Sequence, residues 1–355
     1  MGIVHISQLK IGDRLAEPVY TKRGNLLFDK HVVITPRELD ILQAFNISTV
    51  TIENDKLEAD SEASTDFKTL EQGFKEHYDE LYQFLIRISW TTFTSETFPI
   101  LELRSKVERL VRYIDYYQVL TFSPNELYDG HNRLHHGSIL AALTCYKLAE
   151  WSNWPDRDRI QLALAGLLHD IGMHRIVKDI LEKPGKLTLR EQEEMRKHTI
   201  YGYQLLKDVP GLHEGVKLSA LEHHERDDGS GYPLGLKKDA IHPYAKMVAV
   251  ADVYHAMTRN RPYKAAESPY LVLDQIKEDS FGKLDPAIVQ LFIEKVTQFQ
   301  VGAMVRLSDG RIGEIIFTDP SHPTKPMVRV GGKIIYLATD PAGLYIQEIL
   351  DFGPT

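Results

Sequence analysis

Residues 156–172 read DRDRIQLALAGLLHDIG. Pro155 and Asp156 open a helix, since proline is accommodated in a first turn that needs no donor. The helix runs on apolar residues to Leu168 and then sets His169 beside Asp170. A charged pair at the end of an apolar helix is costly unless something compensates, and a metal ion is one compensation. Taken alone, the dipeptide arises often by chance.

Its surroundings change that. The chain has 15 histidines, 11 of them between His131 and His255, and histidine is the commonest metal ligand. His136 lies upstream and His198 downstream. His223-His224 forms a second doublet, and Asp252 interrupts the apolar run VAVADVYHAM, where an unpaired carboxylate is expensive. Any single one of these histidines reads as well as a satisfied core or surface residue; the set does not. Seven nitrogen and oxygen donors exceed what one tetrahedral zinc needs. A bridging carboxylate among imidazoles suits two borderline ions such as iron, manganese or nickel. Two such ions form a clamp for in-line phosphoryl displacement.

Length and composition bound the rest. The 355 residues suggest two or three domains. With 43% hydrophobic and 26% charged residues the chain can bury a sizeable core. A net charge of −8 offers no basic field for a nucleic acid polymer or an anionic membrane. Cys145 is the single cysteine, so an intramolecular disulfide is excluded and a reducing compartment is the easy reading. MGIVHISQLKIGD lacks the pattern of a secretory signal, and MVAVA at 247–251 is far too short to insert in a membrane. The expectation is a cytoplasmic protein.

The expected fold is mainly α. Residues 1–53 read as a small α/β module: a hairpin turning at Arg23-Gly24-Asn25, a short helix from Pro36, and a closing strand STVTIE. Residues 54–66, polar and acidic, read as a linker. From 67 onward FKTLEQGFKEHYDELYQFLIRI and LELRSKVERLVRYI carry helical periodicity, giving a helical connecting region over 67–123. Thr188 and Glu191 make a capping box, and HPYAKMVAVADVYHAMT reads as a buried helix. Residues 301–355 read as a β-rich tail, with turns at Asp309-Gly310 and Gly331-Gly332.

The stretch HHERDDGSGYPLGL, 223–236, places a glycine-rich turn directly after the second histidine doublet. Glycines permit close backbone approaches there. A surface loop is the plain alternative, but its adjacency to the doublet argues that it covers a site.

His169-Asp170-Ile171-Gly172, HHERDDGSGYP and VADVYHAMTRNRPYK together resemble the HD-GYP family of bacterial phosphohydrolases over roughly 124–300. Residues 183–206 resemble the family's segment between its histidine motifs, and residues 1–53 more weakly resemble a module that precedes some members. The resemblance implies an α-helical HD-superfamily domain at 124–300 and a metal-dependent phosphodiesterase of cyclic di-GMP, yielding pGpG and in some members GMP. It implies His136, His169, Asp170, His198, His223, His224 and Asp252 as metal ligands. Asp170 would bridge two ions, iron or manganese before nickel, and position a nucleophilic water. Tyr232 and Gly231 of the loop, with Arg261 and Lys264, would meet the substrate; a forked guanidinium and an ammonium suit phosphate oxygens.

Three positions depart from the family pattern. Met173 stands for the lysine after His-Asp-x-Gly, Asn132 for a glutamate that holds a third ion in some members, and His255 for an aspartate. No ligand of a two-ion core is lost. Other readings are a phosphodiesterase of 3′,3′-cyclic GMP-AMP, a signalling scaffold that binds the messenger or a diguanylate cyclase (GGDEF) protein, and an ordinary HD phosphohydrolase. A homodimer is compatible with all of them.

Overall fold

The architecture was taken from a computed structural model, which describes residues 2–350 apart from 7, 8, 11, 21–25, 46, 48, 53–61, 92–97, 123–132, 259–266 and 299. The chain opens with β1 (Gly2–His5), β2 (Val19–Tyr20), β3 (Leu26–Phe28), α1 (Pro36–Ala44) and β4 (Thr49–Ile52). β2 and β3 pair antiparallel, as the hairpin reading expects, while the turn at Arg23-Gly24-Asn25 lies outside the described residues. β4 pairs antiparallel with β1, Gly2 opposite Ile52 and His5 opposite Thr49. Ile6, Leu15, Ile34, Ile41 and Leu42 fill the space between.

Helices follow without a break in the pattern: α2 (Glu62–Thr91), α3 (Ile100–Leu110), α4 (Arg133–Trp151), α5 (Asp156–Leu168), α6 (Lys178–Leu181), α7 (Leu189–Arg196), α8 (His198–Leu206), α9 (Glu214–Glu222), α10 (Pro243–Thr258), α11 (Pro269–Asp279) and α12 (Pro286–Gln298). α2 starts at Glu62, inside the stretch 54–66 read as linker. Its first turn begins Glu-Ala-Ser, and alanine is the strongest helix former while glutamate is a good one. α7 begins at the capping box: Glu191 N–H donates to Thr188 Oγ1, and the Thr188 N–H donates to the Glu191 carboxylate at 2.7 Å.

The buried faces of α2 and α3 (Phe74, Tyr78, Leu81, Leu103, Val107, Leu110) share one core with α4, α5 and α10. α4 and α5 lie side by side, and α9 packs against α5, α8 and α10. α10 is apolar nearly all round and is buried along Tyr244–Ala251, apart from Lys246, which is the location such a sequence demands. Among the described residues no helix is long and apolar enough to cross a membrane.

The tail forms β5 (Met304–Leu307), β6 (Ile312–Phe317), β7 (Met327–Val330), β8 (Lys333–Tyr336) and β9 (Ile346–Leu350), in the order β8-β7-β6-β5-β9. Successive strand residues point to opposite faces. Ile315 joins the helical core and Ile316 joins the core of the first 52 residues. Both are fully buried, so the sheet is covered on its two sides at this point. Phe45 meets Phe317 edge to face at 4.7 Å on the same seam.

Candidate metal centre

Five elements deliver the donors. α5 ends at His169, and Asp170 leads into a single 3₁₀ turn, Ile171–Arg175. α8 begins with His198, α9 runs out into His223 and His224, and α10 carries Asp252. The turn after Asp170 reaches α8 because residue 172 is glycine. A Cβ there would collide with the His198 carbonyl and the Gly202 amide nitrogen, so no other residue lets Asp170 approach His198.

Three imidazoles are anchored in the same way. His169 Nδ1–H donates to Gly166 O at 2.7 Å, His198 Nδ1–H to Met195 O at 2.7 Å, and His223 Nδ1–H to Ser219 O at 2.9 Å. A carbonyl can only accept, which fixes a proton on Nδ1 and makes Nε2 the atom of each neutral ring that can donate electrons. Those Nε2 atoms converge on Asp170: 3.3 Å from His198 and 3.6 Å from His223 to Oδ1, and 3.5 Å from His169 to Oδ2. His169 Nε2 lies a further 3.7 Å from Asp252 Oδ1.

The donors form two groups, Asp170 with His198, His223 and His224, and His169 with Asp170 and Asp252. Asp170 belongs to both. His169 Nε2 and Asp170 Oδ1 are buried and have no hydrogen-bond partner, an uncommon state for interior polar atoms. Nitrogen and carboxylate oxygen donors crowded at 3.3–3.7 Å, too far for strong hydrogen bonds, are suited to sharing cations. The residues present therefore fit bound metal.

The electrostatics agree. Burial alone would raise the Asp170 carboxyl, but His169, His223 and His198 outweigh it and hold it well below the usual carboxylate range. Burial also opposes ionisation of Asp252, and His169 overcomes it. Burial would lower His169, yet Asp170 and Asp252 push it up to about 9. Burial lowers His198 despite the pull of Asp170, and it lowers His224 further, with His223 adding to the effect. Two ionised carboxylates thus face a protonated His169: a proton occupies charge space that a metal would take.

Six of the seven expected ligands meet here. His136 does not join either group. It is buried, its Nδ1 lies 2.7 Å from the Tyr78 hydroxyl, and its ring stacks on Tyr82 at 4.1 Å, so α2 holds it. The neighbouring His135 instead lines a cleft with Asp170, Ser138 and His174. Neither ring nitrogen of His135 has a hydrogen-bond partner, and burial with the nearby His174 lowers it to about 4. Both histidines touch Tyr82 of α2, but only His135 also lines the cleft that reaches Asp170, a distinction that spacing alone cannot make.

Tyr232 stacks on His224 with ring centroids 4.7 Å apart. Gly231 is packed so tightly that a Cβ would strike Glu225 Cα, Arg226 N and His224 O. Arg261, Lys264 and Asn132 lie outside the described residues. His255, one turn beyond Asp252, places Nε2 2.8 Å from Thr144 Oγ1 and 3.4 Å from the Tyr117 hydroxyl, tying α10 to α4.

Two contributors carried no sequence signal strong enough to single out. Glu225, 2% exposed, accepts the N–H groups of Leu234 (2.6 Å), Gly235 (3.1 Å) and Leu236 (2.9 Å), fastening the loop behind Tyr232. Arg196 sets its guanidinium 4.9 Å from the centroid of the Tyr232 ring. A third donor group, Glu76, His77 and Glu80 on α2, is a surface cluster whose Glu80 pairs with Arg109 at 3.1 Å and Lys106 at 3.8 Å.

Comparison with known proteins follows this geometry. Residues 119–288 match the family described as HD domain. A cyclic di-GMP phosphodiesterase of Pseudomonas aeruginosa is 37% identical over 225 residues, 63% of this chain and 52% of that protein. A cyclic di-GMP phosphodiesterase of Thermotoga maritima is 41% identical over 136 residues, 38% of this chain and 37% of that protein. A 3′3′-cGAMP-specific phosphodiesterase of Vibrio cholerae is 33% identical over 159 residues, 44% of this chain and 30% of that protein. The match to the first of these spans about half of its length.

Proposed function

We propose that the chain, whose residues 119–288 match the family described as HD domain, is a metal-dependent phosphodiesterase that hydrolyses cyclic di-GMP to pGpG. The observation that carries this reading is the position of Asp170 in both donor groups, with its Oδ1 and His169 Nε2 left without hydrogen bonds. Six ligands are assigned: His169, Asp170, His198, His223, His224 and Asp252, Asp170 bridging. His136 is the seventh candidate, oriented by Tyr78. Iron or manganese are the expected ions, with nickel next.

Two divalent ions in such a site supply an activated water and neutralise phosphate charge. The chain's own part is positional. Three backbone carbonyls hold the imidazoles of His169, His198 and His223 in the tautomer that exposes Nε2. Glu225 fixes the loop, and the loop holds Tyr232 against His224. Arg261 and Lys264 are assigned to the phosphate oxygens. Water adds to phosphorus, the bond to the 3′ oxygen breaks, and that oxygen leaves with a proton, giving a linear product with a 5′-phosphate. The same reading puts the chain in the cytoplasm, with a GGDEF diguanylate cyclase or a second copy of itself as partners to seek by co-purification.

The Vibrio cholerae relative supports a second substrate, 3′3′-cGAMP. The test is metal per chain by elemental analysis together with anaerobic turnover of both dinucleotides in iron or manganese. About two ions per chain with linear product from cyclic di-GMP is the expected result. Turnover of 3′3′-cGAMP alone selects the second substrate. Absence of both metal and product sinks the enzyme reading in favour of a signalling scaffold.

A further inference from the structure

Arg196 ends α7 two residues before His198. Its side chain is exposed, and among the described residues its guanidinium makes no ion pair. It lies over Tyr232, 4.9 Å from the ring centroid, and Tyr232 in turn stacks on His224. One aromatic ring therefore touches both a free guanidinium and a histidine of the donor cluster.

A fixed cation beside a site that gathers divalent ions is repelled by them. The arrangement becomes favourable when an anion lies within reach of both. A guanidinium resting on an aromatic face keeps its N–H edge free, and that edge matches two phosphate oxygens at once. A cyclic dinucleotide carries two phosphodiesters, of which one is cut per turnover.

We propose that Arg196, seated against the Tyr232 ring, binds the second, uncut phosphodiester of the cyclic dinucleotide while the first lies at the Asp170 cluster. The inference rests on the phosphodiesterase reading above and adds to it a residue that selects substrates with two phosphodiesters. Tyr232 gains a task distinct from contact with the substrate: it is the platform that orients the guanidinium.

The test is calorimetric binding of a slowly hydrolysed phosphorothioate analogue of cyclic di-GMP to the full-length, metal-loaded protein. Loss of a charge-assisted contact should weaken binding of Arg196→Ala by roughly 10–100-fold. Arg196→Lys should fall between, because an ammonium keeps the charge but not the fork. Metal per chain should equal that of the unaltered protein in both variants. Equal affinity in Arg196→Ala overturns the inference, as does loss of metal alongside affinity, which would make Arg196 a support of the cluster. If the unaltered protein itself binds no cyclic dinucleotide, the substrate reading falls and this inference with it. That result is told apart by failing before any substitution is made.

Discussion

His198 Nε2 and His223 Nε2 face each other at 3.3 Å, although each ring has committed its Nδ1–H to a backbone carbonyl. So anchored, the two rings turn their Nε2 atoms towards one another beside the Asp170 carboxylate. Only a shared cation or an added proton makes that contact attractive. The backbone has thus decided, before any ion arrives, which ring atoms are offered.

Because Asp170 serves both donor groups, its loss should empty both. Asp170→Ala is expected to take metal content from about two ions per chain to near zero. Turnover should fall by more than about 100-fold, beyond what loss of an outer partner costs. Elemental analysis and a linear-product assay on one sample check this; a variant retaining one full equivalent contradicts the bridging role.

Gly172 supplies no ligand, yet Gly172→Ala should cost metal. The new methyl meets the His198 carbonyl and the Gly202 amide, both backbone, and overpacking of this kind destabilises by about 1–3 kcal/mol. α8 would have to retreat, carrying His198 away from Asp170. Gly202→Ala, which meets the Ala220 methyl at 3.3 Å, is the milder comparison. Metal titrations of the two variants should differ in that order.

Glu225→Ala leaves three amides behind the loop without an acceptor. A cost of about 2–4 kcal/mol is expected from unsatisfied donors. Hydrogen exchange should accelerate at Leu234, Gly235 and Leu236 before it does in α5. KM should rise more than metal content falls, since the loop carries Tyr232 and the backbone anchors of His169, His198 and His223 lie outside it.

His242, whose backbone N–H donates to Glu222, accepts the Tyr244 N–H at Nδ1 at the start of α10, with His213 and Glu214 the nearby ionisable groups that influence it. Burial, then His213, lowers its pKa below the ordinary 6.5. The folded state therefore favours the neutral ring. That contribution is complete above about pH 6.5 and is lost as pH falls through the lower, folded value. His242→Asn keeps a capping acceptor without the titration. Its Tm should decline less between pH 7 and pH 5 than that of the unaltered protein, and parallel curves would dismiss the effect.

Much of this was legible because it follows local rules. The capping box at Thr188 and Glu191, the glycine turns of the tail and the buried character of α10 depend on neighbours within a few residues. His169-Asp170 and Asp252 became visible through residue types that apolar helices do not tolerate unpaired. The His135–His136 distinction was not legible, since it depends on how α4 is rotated against α2 and α5. Arg196 also escaped notice: an exposed arginine on a polar helix has no local mark, and only the folded loop brings Tyr232 beneath it. The early start of α2 at Glu62 escaped for the opposite reason, because polar residues can extend a helix that already has its core.

Ile315 and Ile316 give the fold a temporal order. The first 52 residues leave the ribosome earliest, but their apolar cluster is completed by Ile316, from β6 near the other end of the chain. They must wait, partly uncovered, until the helices have been made and the sheet has formed on Ile315. Contacts so distant in sequence form late and slowly. Loss of β6 would consequently expose an unfinished apolar face on the first 52 residues, so that damage to the tail would be felt first in a module roughly 260 residues away in sequence.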